Sequence, residues 1–276
     1  MFKKAYVEIT NICNLSCDFC HGTRRTPRRL TAAEFDCIMR RLKGHAEYVY
    51  FHILGEPLTH PELSRFLSCA AGNGMKCCIT TNGTLLAESE SVLLNAPRLH
   101  KLSVSLHSFE VNDGGDMKKY LDDVCSVCTK LAANGTICAL RLWNGGGADR
   151  LNGDIIAVLH EKLGCEWQSN RDGFKLGNNL YLENAAKFEW PDMGAPRRNV
   201  QFCQGLRDQI GILCDGTVVP CCLDAEGSIA LGNIFRQSLD EILNSERAKA
   251  LYRGFSNRAP AEELCLRCGY AERFSI

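Results

Sequence analysis

Cys13-Asn14-Leu15-Ser16-Cys17-Asp18-Phe19-Cys20 decides how this chain is read: three cysteines spaced CxxxCxxC, directly after the strand-like run Ala5 to Thr10. At the cysteine content of this chain, three residues at those fixed spacings arise by chance about 0.06 times per chain. Three thiolates in one short loop can hold three irons of a four-iron four-sulfur cluster and leave the fourth iron open to another ligand. Structural zinc takes four closed ligands instead, and the zinc alternative here is a loop completed by His21.

Outward from the motif, residues 5 to 163 alternate short apolar runs with amphipathic stretches, the pattern of strand-helix units around a parallel sheet. Six strands are predicted: Ala5 to Thr10, Glu47 to Ile53, Met75 to Thr80, His100 to Leu106, Thr136 to Trp143 and Cys165 to Ser169. One helix starts at the capping box Thr31-x-x-Glu34 and carries Phe35, Ile38, Met39 and Leu42 on one face; another carries Leu63, Phe66, Leu67 and Ala70. After about residue 170, Gly173, Gly177, Pro191, Gly194 and Pro196 punctuate the chain. A hairpin is predicted over Ile210 to Val219 around Asp215-Gly216, then a helix from the capping box Ser238-x-x-Glu241.

Composition narrows the class. Seventeen cysteines in a 276-residue chain without a secretory apolar region argue for metal ligation in a cytoplasmic protein and exclude a small disulfide-stapled scaffold. The formal net charge of zero gives no global basic surface for a nucleic-acid polymer or an anionic membrane. No stretch approaches the roughly 18 apolar residues of a membrane span.

A second cysteine set lies near the carboxyl end. Cys203, Gly216 and Cys221 form C-x12-G-x4-C, and Cys265 and Cys268 add a C-x2-C. Four thiolates would close an iron-sulfur cluster, and they also suit tetrahedral zinc. Cys214 and Cys222 are read as bystanders, and Cys125 and Cys128 as part of a helical apolar stripe with Leu121 and Val124. Cys37, Cys69, Cys77, Cys78, Cys138 and Cys165 are read as small buried hydrophobes.

CxxxCxxC with an aromatic, Phe19, before its last cysteine resembles the radical S-adenosylmethionine (SAM) superfamily, and the resemblance covers residues 5 to 143. It implies a partial (β/α)6 TIM barrel over residues 1–170. In that family the open iron chelates the amino and carboxylate groups of SAM, and an electron from the reduced cluster yields a 5'-deoxyadenosyl radical that abstracts hydrogen. Further motifs arrive in the family's order at the carboxyl ends of successive strands, where such barrels place their chemistry. Leu54-Gly55-Glu56-Pro57 resembles the Gly-Gly-Glu motif, with Leu54 in place of the first glycine; Glu56 would accept from the SAM ammonium and Gly55 would let the backbone approach. Phe19 would pack near the adenine, Asn82 and Ser105 would contact SAM, and Arg141 would pair with its carboxylate. His107 stands where the family often has Asp.

The distal set resembles the first half of the cysteine-rich SPASM extension. Only eight residues follow Cys268, which matches the shorter twitch domain, as in the family of 2-deoxy-scyllo-inosamine dehydrogenase. The resemblance thus implies a twitch domain of hairpin plus helix over residues 171–276 and a second four-iron four-sulfur cluster on Cys203, Cys221, Cys265 and Cys268, beside the first on Cys13, Cys17 and Cys20. A flavodoxin- or ferredoxin-type donor would supply electrons. The expected function is hydrogen abstraction from a small polar metabolite, with oxidation assisted by the auxiliary cluster. The cluster motif begins at Cys13, which favours small metabolites over leader-bearing peptides. A lyase acting on a modified nucleobase such as queuine, a peptide-modifying enzyme, and a nonenzymatic ferredoxin-like or zinc protein are the alternatives. Candidate substrate contacts are His107, Trp143, Asn144, Tyr181, Glu183 and Trp190, with Gln168 and Arg171.

Overall fold

Five strands with buried apolar faces line up in parallel: β1 (Phe2–Val7), β2 (Ala46–Tyr50), β3 (Lys76–Thr81), β4 (Leu99–Ser105) and β5 (Ile137–Gly145). The computed structural model describes residues 1–112, 115–164 and 166–274. Parallel neighbours need crossover connections, and helices supply them: α1 (Ala32–Leu42), α2 (Leu63–Gly72), α3 (Leu86–Leu94), α4 (Met117–Ala133) and α5 (Asn152–Leu163). The capping box at α1 forms as its sequence predicts: the Thr31 hydroxyl accepts from the Glu34 N–H, and Glu34 accepts from the Thr31 N–H. The apolar stripes of α1 and α2 are buried and meet where Phe35 stacks on Phe66, with ring centroids 4.2 Å apart. On α4, Leu121, Val124, Cys125 and Cys128 are buried together, so this CxxC belongs to the core.

The sixth parallel strand is not the predicted one. Cys165 lies outside the described residues, and Gln168–Asn170 forms β6 at the far edge of the sheet, antiparallel to β7 (Gly173–Gly177). The sixth barrel strand is β8 (Leu180–Ala186), which pairs in parallel with β5 from Cys138 opposite Leu180 to Arg141 opposite Glu183. All three residues of β6 are exposed, whereas Leu180 and Leu182 are buried. A parallel barrel strand is covered on both faces, and Gln-Ser-Asn has no apolar side to contribute.

The carboxyl-terminal hairpin joins the same sheet at its other end. Strand β9 (Gln209–Ile212) pairs in parallel with β1, Lys4 opposite Gln209 and Val7 opposite Ile212, and in antiparallel fashion with β10 (Thr217–Val219). The turn between them requires glycine at 216: φ is +85°, and a Cβ there would lie 2.4 Å from the Phe235 ring. Strand β11 (Gly232–Asn233) completes an eleven-stranded order β11-β10-β9-β1-β2-β3-β4-β5-β8-β7-β6. Helices α6 (Leu239–Leu243), α7 (Glu246–Ser256) and α8 (Glu263–Leu266) follow, the first opened by the predicted Ser238 capping box. Cys77, Cys78 and Cys138 are buried, but Cys37 and Cys69 are only half-buried. They stand beside the helical stripes, and the Cys69 thiol donates to Asp36 Oδ1 at 3.1 Å. Among the described residues no helix is long and apolar enough to cross a membrane.

Candidate active site

The loop after β1 brings its three cysteines to the carboxyl ends of the barrel strands. Asn112 Nδ2 donates to Cys17 Sγ at 3.0 Å and Asn82 Nδ2 to Cys13 Sγ at 3.9 Å, while the Leu15 N–H points at Cys13 Sγ. Burial outweighs the Asn112 bond and, with smaller contributions from the neighbouring Cys20 and Cys13, raises the Cys17 thiol to about 11. Cys13 is raised by burial as well. Anionic sulfurs this close repel one another, so burial and mutual repulsion hold Cys13 and Cys17 toward the neutral thiol until cations arrive to offset the charge.

The Gly-Glu segment is stitched onto that loop. Gly55 has φ +74°, and a Cβ there would lie 2.3 Å from the Thr10 carbonyl oxygen, so only glycine fits. The Glu56 N–H donates to the Ile12 carbonyl at 3.0 Å. The Glu56 carboxylate is buried and accepts from the Asn82 N–H at 2.8 Å and the Leu58 N–H at 3.0 Å. Burial still leaves its pKa raised, which is the state of an acid lacking a cationic partner. Leu54, the departure from Gly-Gly-Glu, buries its side chain in a small cluster with Ile53, Leu213, Val219 and Ala225, so it packs against the carboxyl-terminal region.

These groups share one cavity of about 330 Å3 lined by Cys13, Cys17, Cys20, Phe19, Gly55, Glu56, Asn82, Ser105, Trp190 and His52, among others. That volume lies at the lower end of small-molecule sites. The Trp190 indole N–H donates to the Phe19 carbonyl at 3.0 Å, and the Phe19 ring lies 4.8 Å from His107. His107 is buried, its pKa lowered by that burial, and its Nδ1–H donates to the Arg141 carbonyl at 3.0 Å.

The remaining expected contacts are placed elsewhere. Arg141 donates to Glu183 Oε2 at 3.1 Å across the β5–β8 pair, lies over the Trp143 ring at 4.3 Å, and does not line the cavity. Lys101 donates to the other oxygen of Glu183; burial opposes ionisation of that carboxyl, but the two cations outweigh it and lower its pKa. Asn144 is buried and spends its amide on Asn152 Oδ1 and the Ala148 carbonyl. Tyr181 is half-buried on β8, and Gln168 and Arg171 are exposed.

Sequence reasoning missed a buried ion pair. Arg25, five residues past Cys20, donates to both oxygens of Glu8 at 2.8 and 2.6 Å, and Glu8 is fully buried at the end of β1. Glu8 also accepts from the N–H groups of Cys214 and Leu54, and Arg25 Nε donates to the Ala225 carbonyl. Burial disfavours the guanidinium charge, but Glu8 outweighs it and raises the Arg25 pKa. The only signal in the sequence was a lone acid, Glu8, between Val7 and Ile9 in an otherwise apolar strand end.

Cys203, Cys221, Cys265 and Cys268 line a second, mostly apolar cavity with Pro191, Leu223, Leu264, Phe255 and Tyr270. Burial raises the pKa of all four thiols. Cys214 and Cys222 do not line it: Cys214 sits against Glu8 and Arg25, and Cys222 is hydrogen-bonded to Tyr6. Among the described residues no three His, Cys, Asp or Glu side chains converge on a single ion. Four thiols lining one mostly apolar cavity are a donor set that suits an iron-sulfur cluster, in which each would hold its own iron.

Residues 7–148 match the radical SAM superfamily, more than half of the 276-residue chain. The chain belongs to the radical SAM superfamily. Residues 203–269 of this radical SAM enzyme match the iron-sulfur cluster-binding SPASM domain. Its cofactors are therefore SAM, the four-iron four-sulfur cluster of the superfamily, and an iron-sulfur cluster of the SPASM region. The chain is 25% identical over 111 residues to the AdoMet-dependent heme synthase of Oleidesulfovibrio alaskensis, a match covering 38% of this chain and 29% of that protein. It is 31% identical over 102 residues to the heme synthase of Methanosarcina barkeri, covering 36% and 29%. The chain thus spans under a third of the length of these curated relatives. Among solved structures it resembles BtrN in complex with AdoMet and 2-DOIA, at TM-score 0.64 and 18% identity, over 97% of this chain and 93% of that one. Streptococcus suis SuiB bound to S-adenosylmethionine follows at TM-score 0.62 and 17% identity, over 98% and 72%. These likenesses show the shared fold.

Proposed function

We propose that this enzyme uses SAM radical chemistry to oxidise a small polar metabolite, with Cys13, Cys17 and Cys20 holding the SAM-binding cluster and Cys203, Cys221, Cys265 and Cys268 the auxiliary one. Bound SAM and the reduced cluster together supply a 5'-deoxyadenosyl radical for hydrogen abstraction. Glu56 receives the SAM ammonium, a charge-assisted bond that its buried, cation-free carboxylate is set to make. Asn82, Ser105, Phe19 and Trp190 line the same cavity, where Phe19 would pack beside the ligand.

The observation that carries the oxidative reading is the strap Trp190-Pro191. Trp190 lines the barrel cavity and Pro191 lines the auxiliary cysteine cavity, so one peptide unit borders both sites. A substrate radical formed in the barrel would then lie near an electron acceptor. The similar length and fold of BtrN, solved with AdoMet and 2-DOIA, support a small ligand of that kind. We assign the electron donor to the flavodoxin or ferredoxin class and the compartment to the cytoplasm.

A second reading, modification of a peptide, is favoured by a charged cavity of about 550 Å3 beside the strap, lined by His21, Arg24, Asp192, Asp224 and Glu226 among others. SuiB, a structural relative, has been solved with its precursor peptide SuiA. The test is anaerobic reconstitution followed by incubation with SAM and dithionite. Formation of 5'-deoxyadenosine, lost when Cys13, Cys17 and Cys20 are changed to Ala, is the expected result, and no SAM cleavage by the reconstituted parent would sink the proposal. Untargeted metabolite screening against a peptide library then separates the two substrate classes.

A further inference from the structure

One polar side chain in the barrel cavity lacks the partner its burial calls for. His52 follows β2 by two residues and lines the cavity that Glu56, Asn82 and Ser105 also line. Its Nδ1 is buried and has no hydrogen-bond partner among the described residues. The ring is instead oriented by two aromatic neighbours, Tyr6 at 5.8 Å and nearly perpendicular, and Tyr50 at 6.1 Å and steeply inclined. Tyr6 and Tyr50 are themselves stacked at 4.7 Å and face each other in register on β1 and β2. The imidazole therefore stands on a fixed aromatic floor, four residues upstream of Glu56.

Burial, reinforced by the Arg141 charge, pushes the His52 pKa down to about 3. The ring is thus neutral at physiological pH and offers one donor and one acceptor. Buried polar atoms without partners are rare in native folds, and the ring that carries this one lines a ligand cavity with its accessible part. A hydroxyl group, which also both donates and accepts, is the complementary ligand. A carboxylate would call for a cation, and an apolar group would leave Nδ1 orphaned.

We propose that His52 is a specificity-determining residue that hydrogen-bonds a hydroxyl group of the substrate inside the barrel. This rests on the reading of the enzyme as one acting on a small polar metabolite. The SAM ribose carries hydroxyls too, so the test separates the two sources.

His52→Phe keeps the ring contacts to Tyr6 and Tyr50 and removes both nitrogens. If His52 is held for a ligand, the apo variant should melt at or above the temperature of the parent; a melting point several degrees lower would mean that the ring's polarity is structural and would overturn the proposal. In the reconstituted enzyme, SAM affinity should stay within about twofold, whereas a loss of roughly tenfold would assign the bond to SAM. In crystals of the reconstituted parent with SAM and myo-inositol, a polyol hydroxyl should lie within hydrogen-bond distance of a His52 nitrogen, and His52→Phe should weaken polyol binding roughly tenfold. A His52 bonded to SAM or to a protein group, or a cavity that excludes the polyol, would overturn it. Failure of the parent to cleave SAM would instead refute the proposed function, and leaves the melting and affinity readouts on His52 intact.

Discussion

At the residue scale, Glu8 and Glu56 illustrate two uses of a buried carboxylate. Glu8 has its cation built in, since Arg25 meets both its oxygens and the Cys214 and Leu54 amides complete its shell. Removing one partner of such a pair leaves an uncompensated charge and typically costs about 3 to 5 kcal/mol. Glu8→Gln is therefore expected to lower the melting temperature by roughly 10 °C in a chain of this size. An unchanged melting curve would show that Arg25 finds water or another acceptor. Among the described residues Glu56 has only neutral donors, the Asn82 and Leu58 N–H groups and the Thr81 hydroxyl, and it keeps a raised pKa. Glu56→Gln should weaken SAM binding by about 1.5 to 3 kcal/mol, the worth of a charge-assisted bond, and calorimetry on the reconstituted protein would read it. Equal affinity of parent and variant would remove Glu56 from the SAM site.

At the element scale, the cysteine loop and strand β3 make the metal-free protein sensitive to alkali. Burial raises Cys17 and Cys78 to about 11 and Cys77 to about 12, from an ordinary thiol value near 9. Between those limits the unfolded chain has released protons that the folded chain still holds. These thiols therefore add stability that is fully present below about pH 9 and is lost as the pH rises through 11 to 12. The melting temperature of the apoprotein should fall across that window. Loading the clusters requires thiolates, so assembly should release protons and proceed more readily at about pH 8.5 than at about pH 6.5, because thiols held above both values gain thiolate with every rise in pH. Iron uptake that is flat over that range would contradict the assignment of these thiols as ligands.

The whole molecule is held together around the barrel mouth by two ties between distant parts of the chain: Arg25 to Glu8 and Ala225, and Trp190 to Phe19. The carboxyl-terminal hairpin is an extension of the barrel sheet through β9, so both cysteine sets stand on one scaffold. Replacing Cys203, Cys221, Cys265 and Cys268 by Ala tests what the second site does. If it accepts the electron of a substrate radical, a variant with the parent's helical signal and SAM affinity should still form 5'-deoxyadenosine but yield no product. Full product yield from that variant would exclude an acceptor role and favour a redox-neutral elimination.

What the sequence determined by itself is the local chemistry and the local structure. The CxxxCxxC spacing, Gly55-Glu56, both capping boxes and the stripes of α1 and α2 are legible because the residues that interact are within a few positions of one another. Five of the six barrel strands are legible for the same reason, as apolar runs closed by turn residues. Tertiary structure alone decided that β8 takes the sixth place from the exposed Gln168–Asn170, because a strand's seat in the sheet depends on which segment can bury an apolar face, as Leu180 and Leu182 do. It also decided the parallel pairing of β9 with β1, the meeting of Glu8 with Arg25, Cys214 and Ala225, and the aromatic floor under His52. Partners up to about two hundred residues apart leave no periodicity or spacing to read, and only the folded chain brings them within hydrogen-bond reach.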